Sequence, residues 1–172
     1  MKERAMIRSM VTTAMLAALT YAATVVIRIP TPTGGYVNLG DAVVLLAAFL
    51  LGPVGGMVAG GLGSALSDLM AGYMAWVPAT LLIKGAMGLT AGLLYRRLGH
   101  IRGGIVLAAL PAECIMVLGY FGFEAALLGQ GLGAAVGIPA NVVQGVFGLA
   151  AGTLLTLALR RNEYIRRAYP AL

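Results

Sequence analysis

A chain of 172 residues that is 60% hydrophobic and only 10% charged has too little charge to cover the surface of a soluble domain. Its net charge of +6 is not a nucleic-acid signature, because the basic residues gather at the ends and in one loop. The single cysteine, Cys114, excludes an internal disulfide and any cysteine-based metal cluster. The apolar residues come in blocks of about the ~20 residues that a membrane-crossing helix needs. The expected fold is therefore an all-α membrane protein: a compact bundle of six transmembrane helices, with residues 1–172 forming one integral membrane domain. No cleavable signal peptide is expected, since the first apolar stretch is too long for one.

In chain order, the first helix is expected over residues 7–27, after the basic start Lys2, Arg4 and Arg8. A loop of proline, threonine and glycine follows over residues 30–35. Asn38 is expected to open a short second helix ending at Leu51, with Asp41 as the acidic third residue of a cap. Gly52 and Pro53 read as a tight turn into a third helix over residues 54–71. Tyr73 and Trp76 flank a brief connection in the manner of interfacial aromatics. Pro78 suits the first turn of a fourth helix ending near Tyr95. Arg96, Arg97, His100 and Arg102 make one basic loop. The fifth helix is expected over residues 105–128, a glycine-rich loop over 129–133, and a sixth helix ending at Leu159 before four arginines. With six spans, nearly all the basic residues fall on the side of the termini and only Arg28 on the other, which places both termini in the cytoplasm.

Glycines recur four apart at Gly52, Gly56 and Gly60, at Gly88 and Gly92, and at Gly148 and Gly152. Helices in lipid associate by close backbone approach, so these are expected to pack the bundle internally. Ala14, Ala18 and Ala22 repeat the spacing on the first helix, where packing inside and docking of a partner protein are both open readings.

Ionisable residues within spans are costly and mark function by default. Asp41, Asp68, Lys84, Glu113 and Glu124 are the candidates. Counting ~1.5 Å per residue places all but the mid-membrane Glu113 in the external half, with Tyr120, Asn141 and Gln144 beside them. That asymmetry predicts a polar cavity open to the outside that takes a small molecule. Each residue has a structural alternative: Asp68 could pair with Lys84, Glu124 could reach water, and Asn141 and Gln144 could only bond across helices. There is no P-loop, and no histidine lies in a span, so neither ATP hydrolysis nor a catalytic or metal site is expected.

Residues 36–92 resemble the substrate-binding S components of energy-coupling factor (ECF) vitamin importers. The resemblance is carried by Tyr36-Val37-Asn38-Leu39-Gly40-Asp41, by Leu51-Gly52-Pro53, by the run from Gly60 to Leu69, and by Pro78-Ala79-Thr80-Leu81-Leu82-Ile83-Lys84-Gly85. Ala14-x-x-x-Ala18 matches the alanine motif of that family's first helix. The resemblance implies no enzyme and no cofactor. It implies a prokaryotic plasma-membrane subunit that binds a vitamin from outside, closes a loop over it, and docks on a membrane coupling (T) subunit carrying two cytoplasmic ATPase subunits. The ligand class it favours is pyridoxine or hydroxymethylpyrimidine, with riboflavin and thiamine as further members. Tyr36, Asn38, Lys84, Glu113, Glu124, Asn141 and Gln144 would supply donors and acceptors, and Tyr73, Trp76 or Tyr120 would stack on a flat ring. Ala14, Ala18 and Ala22 would form the docking stripe. A stand-alone ion-coupled transporter and a non-transport membrane scaffold are the alternative readings.

Overall fold

In the computed structural model, which describes residues 2–169, long helices form a bundle with a two-stranded ribbon across one end. α1 (Lys2–Val26) leads into β1 (Arg28–Pro30), which pairs antiparallel with β2 (Tyr36–Asn38). Then come α2 (Gly40–Met70), α3 (Val77–Leu98), α4 (Gly104–Ala126), a 3₁₀ segment (Gly131–Gly137), α5 (Ile138–Arg160) and the short α6 (Glu163–Ala168). Five stretches are long and apolar enough to cross a membrane: Met6–Val26, Gly40–Met70, Val77–Leu98, Gly104–Ala126 and Gly131–Arg160.

α2 is two helical segments. Gly52 sits at φ 80°, ψ −173°, a conformation glycine adopts without the strain a Cβ would bring. Pro53 then starts the next segment, where its missing N–H costs nothing. A Cβ on Gly56 would lie 2.6 Å from Ala48 Cα, and one on Gly60 would lie 2.7 Å from Val44 Cγ1. Both pairs are symmetric about Gly52, so the segments fold back on each other as an antiparallel hairpin. The Arg96 side chain closes over the bend, 2.7 Å from where a Gly52 Cβ would stand. The turn read at Gly52-Pro53 is present, and it divides α2 into two antiparallel helical segments.

The glycines expected to pack internally do so. A Cβ on Gly88 would lie 2.3 Å from the Gly56 carbonyl oxygen, and one on Gly92 would lie 2.5 Å from Pro53 N. Gly148 and Gly152 face Asp41 and Leu45 in the same way. α1 turns Leu16, Thr20 and Thr24 inward, one per turn, and all three are buried. The Thr20 and Thr24 hydroxyls each donate to the carbonyl four residues back at 2.8 Å, so neither carries an open polar demand into the interior. Two residues along a helix is a rotation of about 200°. The stripe Ala14, Ala18, Ala22 therefore faces away from the bundle, and all three are exposed.

The outer surface is apolar, with Leu82 71% and Leu118 65% exposed, while polar side chains lie inside. That inversion suits a lipid solvent, in which leucine is the cheap surface and an unsatisfied polar group the costly one.

Three local expectations are corrected. The loop over residues 30–35 is the tip of a β-ribbon. Gly34 at φ 87° closes its turn, and Thr31 N–H donates to the Gly35 carbonyl at 2.9 Å. Asn38 is the last residue of β2 and caps no helix: its Oδ1 accepts the Gly40 N–H at 2.8 Å, and Leu39 stands at the cap position. The glycine-rich loop after α4 leads into the 3₁₀ segment, since Gly129 and Gly131 supply positive φ and the residues after them wind up. α6 was not expected; Asn162 starts it by accepting the Tyr164 and Ile165 N–H groups.

Candidate ligand-binding site

Beneath the ribbon lies a polar cavity walled by the ribbon end of every long helix. Its lining is Thr24 from α1, Thr31, Gly35, Tyr36 and Asn38 from the ribbon, Ser64 and Asp68 from α2, Trp76, Thr80 and Lys84 from the α3 region, Tyr120 and Glu124 from α4, and Asn141 from α5. Ser64 and Asp68, Thr80 and Lys84, and Tyr120 and Glu124 are pairs four residues apart, so each helix offers one polar stripe to the same space.

Lys84 is buried and ion-paired with Asp41, whose side chain is equally buried. The second Asp41 oxygen accepts Gln144 Nε2 at 2.6 Å. Lys84 Nζ also lies 5.6 Å from the centre of the Tyr120 ring. A pair of Asp68 with Lys84 was one open reading; the structure instead pairs Lys84 with Asp41 and gives Asp68 to Tyr36, whose hydroxyl donates to Oδ1 at 2.5 Å. Thr80 and Tyr120 join hydroxyls at 3.0 Å.

The ribbon is pinned over the cavity at three points. Thr33 donates to Glu124 Oε1 at 2.9 Å, and its carbonyl accepts Gln130 Nε2 at 2.8 Å. Tyr36 is held by Asp68, and Arg28 lies 5.8 Å from its ring centre. Burial, and next the hydrogen bond to Asp68, push the Tyr36 hydroxyl well above its ordinary value of about 10, so it remains a neutral donor. The Asn38 N–H donates to Gln144 Oε1 at 2.6 Å. An aromatic chain flanks the ribbon: Tyr36 and Tyr73 have ring centres 4.7 Å apart, Tyr73 and Trp76 5.9 Å, and Trp76 and Phe123 6.3 Å.

With the ribbon down, the cavity measures about 20 Å³, room for a water molecule and no more. The site is thus closed, and a ring can enter only if the ribbon and the side chains under it move. Ser64 Oγ and Glu124 Oε2 are buried without a hydrogen bond among the described residues, so the site holds polar capacity that its own side chains do not use.

Of the residues proposed from sequence, Tyr36, Asn38, Trp76, Lys84, Tyr120, Glu124 and Asn141 come together in the lining. Tyr73 stands one ring behind it, against Tyr36. Gln144 lies behind Asp41, and Asp41 itself is outside the lining. Glu113 is elsewhere: it forms the floor of an apolar crevice of about 270 Å³ between α4 and α5, with neither carboxyl oxygen hydrogen-bonded among the described residues. Thr24, Thr31, Gly35, Ser64 and Thr80 were missed as candidates. The four-residue pairing of Ser64 with Asp68 and of Thr80 with Lys84 was the available signal.

The family model described as "ECF-type riboflavin transporter, S component" matches residues 4–161. An uncharacterised protein of Pyrococcus woesei is 39% identical over 140 residues, which cover 81% of this chain and 93% of that one. The thiamine precursor transporter HmpT of Lactococcus lactis subsp. cremoris is 30% identical over 135 residues, covering 78% of this chain and 75% of its own length. Among solved structures, the S component of a bacterial ECF transporter superposes with a TM-score of 0.72 at 21% identity, covering 91% of this chain and 97% of that one.

Proposed function

We propose, from the premise that this chain belongs to the S-component family of ECF-type transporters, that it captures a small heteroaromatic vitamin or vitamin precursor in the cavity beneath the ribbon. The observation that carries the reading is the closed polar cavity itself, with its unused hydrogen-bonding groups and an aromatic wall under a strap held by side-chain hydrogen bonds. S components are vitamin-transport subunits rather than enzymes, and they work with T and ATPase modules.

The ligand we favour is a single ring of the hydroxymethylpyrimidine or pyridoxine class. One fact supports one ring over the three of riboflavin: a relative is named as a thiamine precursor transporter. Trp76 would cover the face of the ring, while Lys84, Glu124, Asn141 and Ser64 would meet its substituents. We place the ribbon on the external side and both termini in the cytoplasm, following the basic residues, with the α2 hairpin supplying two of six crossings. Its first segment, residues 40–51, is only ~18 Å long, so it spans by tilting or by drawing the ribbon into the interface.

The test is equilibrium binding of hydroxymethylpyrimidine, pyridoxine, thiamine and riboflavin to the purified chain, with native mass spectrometry for a co-purified vitamin. Saturable, competitive binding of one ring-sized ligand is expected. Uptake by this chain alone that collapses with an ion gradient would favour a self-sufficient transporter.

A further inference from the structure

We infer that Gln144 is a positioning residue that anchors the base of the ribbon and sets how fast ligand enters and leaves, without touching the ligand itself. The inference rests on the ligand-capture reading of the cavity.

Gln144 is buried on α5 and lies outside the cavity lining. Its side chain faces two partners with fixed chemistry. The Asn38 backbone N–H can only donate, so Oε1 must face it, at 2.6 Å. Asp41 Oδ2 belongs to a carboxylate paired with a lysine and accepts, so Nε2 must face it, also at 2.6 Å. The amide orientation is therefore settled by its neighbours. One chain of contacts runs from Lys84 in the cavity wall through Asp41 and Gln144 to the backbone of β2.

Gln130 Nε2 also donates to the Thr33 carbonyl at the tip of the ribbon, and the two remaining tethers reach into the cavity lining. Thr33 is held by Glu124, and Tyr36 by Asp68; Tyr36, Glu124 and Asp68 all line the cavity. A ring entering a space of about 20 Å³ must break or displace them. Gln144 stands behind the wall and holds Asn38 by its backbone N–H, at the foot of the ribbon where the chain turns into α2, so side-chain rearrangement in the cavity leaves this tether in place. It joins the last residue of β2 to α5, two residues before α2 begins. The ribbon then opens about a base held by Gln144, and closure returns it to one register over the cavity. Cutting the tether loosens the ribbon in both states, which speeds entry and exit together.

The experiment uses the full chain in lipid nanodiscs with Cys114→Ser, and a nitroxide on Ile29→Cys, an exposed position of β1. Without ligand, Gln144→Leu should mobilise the label relative to Gln144. Gln144→Met, which matches the length without the hydrogen bonds, serves the same arm where leucine destabilises the fold. Gln144→Glu should restore an immobile label, because a protonated carboxyl can accept from Asn38 N–H and donate to Asp41. Stopped-flow binding of hydroxymethylpyrimidine and riboflavin should give association and dissociation rates that both rise about tenfold in Gln144→Leu, with Kd within about threefold. Wild-type label mobility in both the leucine and methionine variants overturns the inference. So does a change confined to the dissociation rate, which is the signature of a direct ligand contact. The label arm needs no ligand, so it decides the matter even where neither vitamin binds and the capture reading falls.

Discussion

Lys84 holds the centre of the site by answering two demands at once. It neutralises Asp41 at a fully buried position, and it presents the cavity with a cationic donor beside the Tyr120 ring. Removing it alone leaves a buried carboxylate whose remaining side-chain partner among the described residues is Gln144, at a cost of about 3–5 kcal/mol. A single variant therefore confuses folding with binding. We predict that Lys84→Met lowers the thermal unfolding temperature, and that adding Asp41→Asn recovers most of the loss. The double variant should still bind hydroxymethylpyrimidine or riboflavin at least about tenfold more weakly, since a hydrogen bond from a charged donor is worth ~1.5–3 kcal/mol. Wild-type affinity in the double variant would remove Lys84 from the ligand's contacts. Tyr36 adds a prediction about pH. Its hydroxyl holds Asp68 only as a neutral phenol, and its folded value is raised above about 10. The restraint is thus fully present below about pH 10 and is lost as pH rises through the higher folded value. A label at Ile29 should keep one mobility from about pH 6 to 9 and loosen only above 10; loosening near neutrality would assign the restraint to another group.

At the scale of elements, the hairpin of α2 and its contact with α3 depend on backbones meeting where no side chain intervenes. A Cβ on Gly88 would stand 2.3 Å from the Gly56 carbonyl oxygen, and that neighbour is backbone and cannot turn aside. Gly88→Ala must push the two helices apart, and we predict a loss of about 1–3 kcal/mol, read as a lowered unfolding temperature in detergent. Gly122→Ala is the control, because a Cβ there meets nothing within 4 Å. An equal unfolding temperature for the two variants would contradict the close approach. These spacings were legible in the sequence because small residues four apart mark one face of a helix. The partner of Lys84 was not. Chain position fixed the depth of Asp41 and Asp68 near one end of the bundle. The rotation of each helix decides which of them meets the lysine, and that rotation follows from packing rather than from any local pattern. Asn38 failed for a related reason. Its residue type suits a helix cap, but pairing with Arg28 across the ribbon extends it, and Leu39 takes the cap position instead. Glu113 missed the cavity for the same reason, because its face of α4 turns toward α5.

For the whole molecule, the question is how capture becomes transport, and the outward stripe of α1 is where the two separate. The bundle uses Leu16, Thr20 and Thr24 for its own packing, which leaves Ala14, Ala18 and Ala22 exposed on the opposite side. Ala14 and Ala18 line a groove of about 780 Å³ between α1 and the second segment of α2, shared with Ala17, Val58, Leu62 and Leu66. A floor of alanine and glycine lets another helix approach closely, held by dispersion contacts rather than charge. The cavity lies under the ribbon, and its α1 contribution is Thr24 on the inward face. A bulky residue at Ala18 should therefore fill the groove and leave the cavity alone. We predict that Ala18→Trp keeps wild-type ligand affinity in the isolated chain and loses ATP-driven uptake once the T and ATPase subunits are reconstituted with it. The pair of measurements separates the outcomes. Binding lost together with uptake would mean that tryptophan disturbs the bundle, against the exposure of Ala18. Full uptake would mean that the T subunit docks on another face. Affinity retained with uptake abolished would place docking on the α1 groove, some distance from the polar chemistry that holds the ligand, so that one short bundle serves its ligand with an inner face and its motor with an outer one.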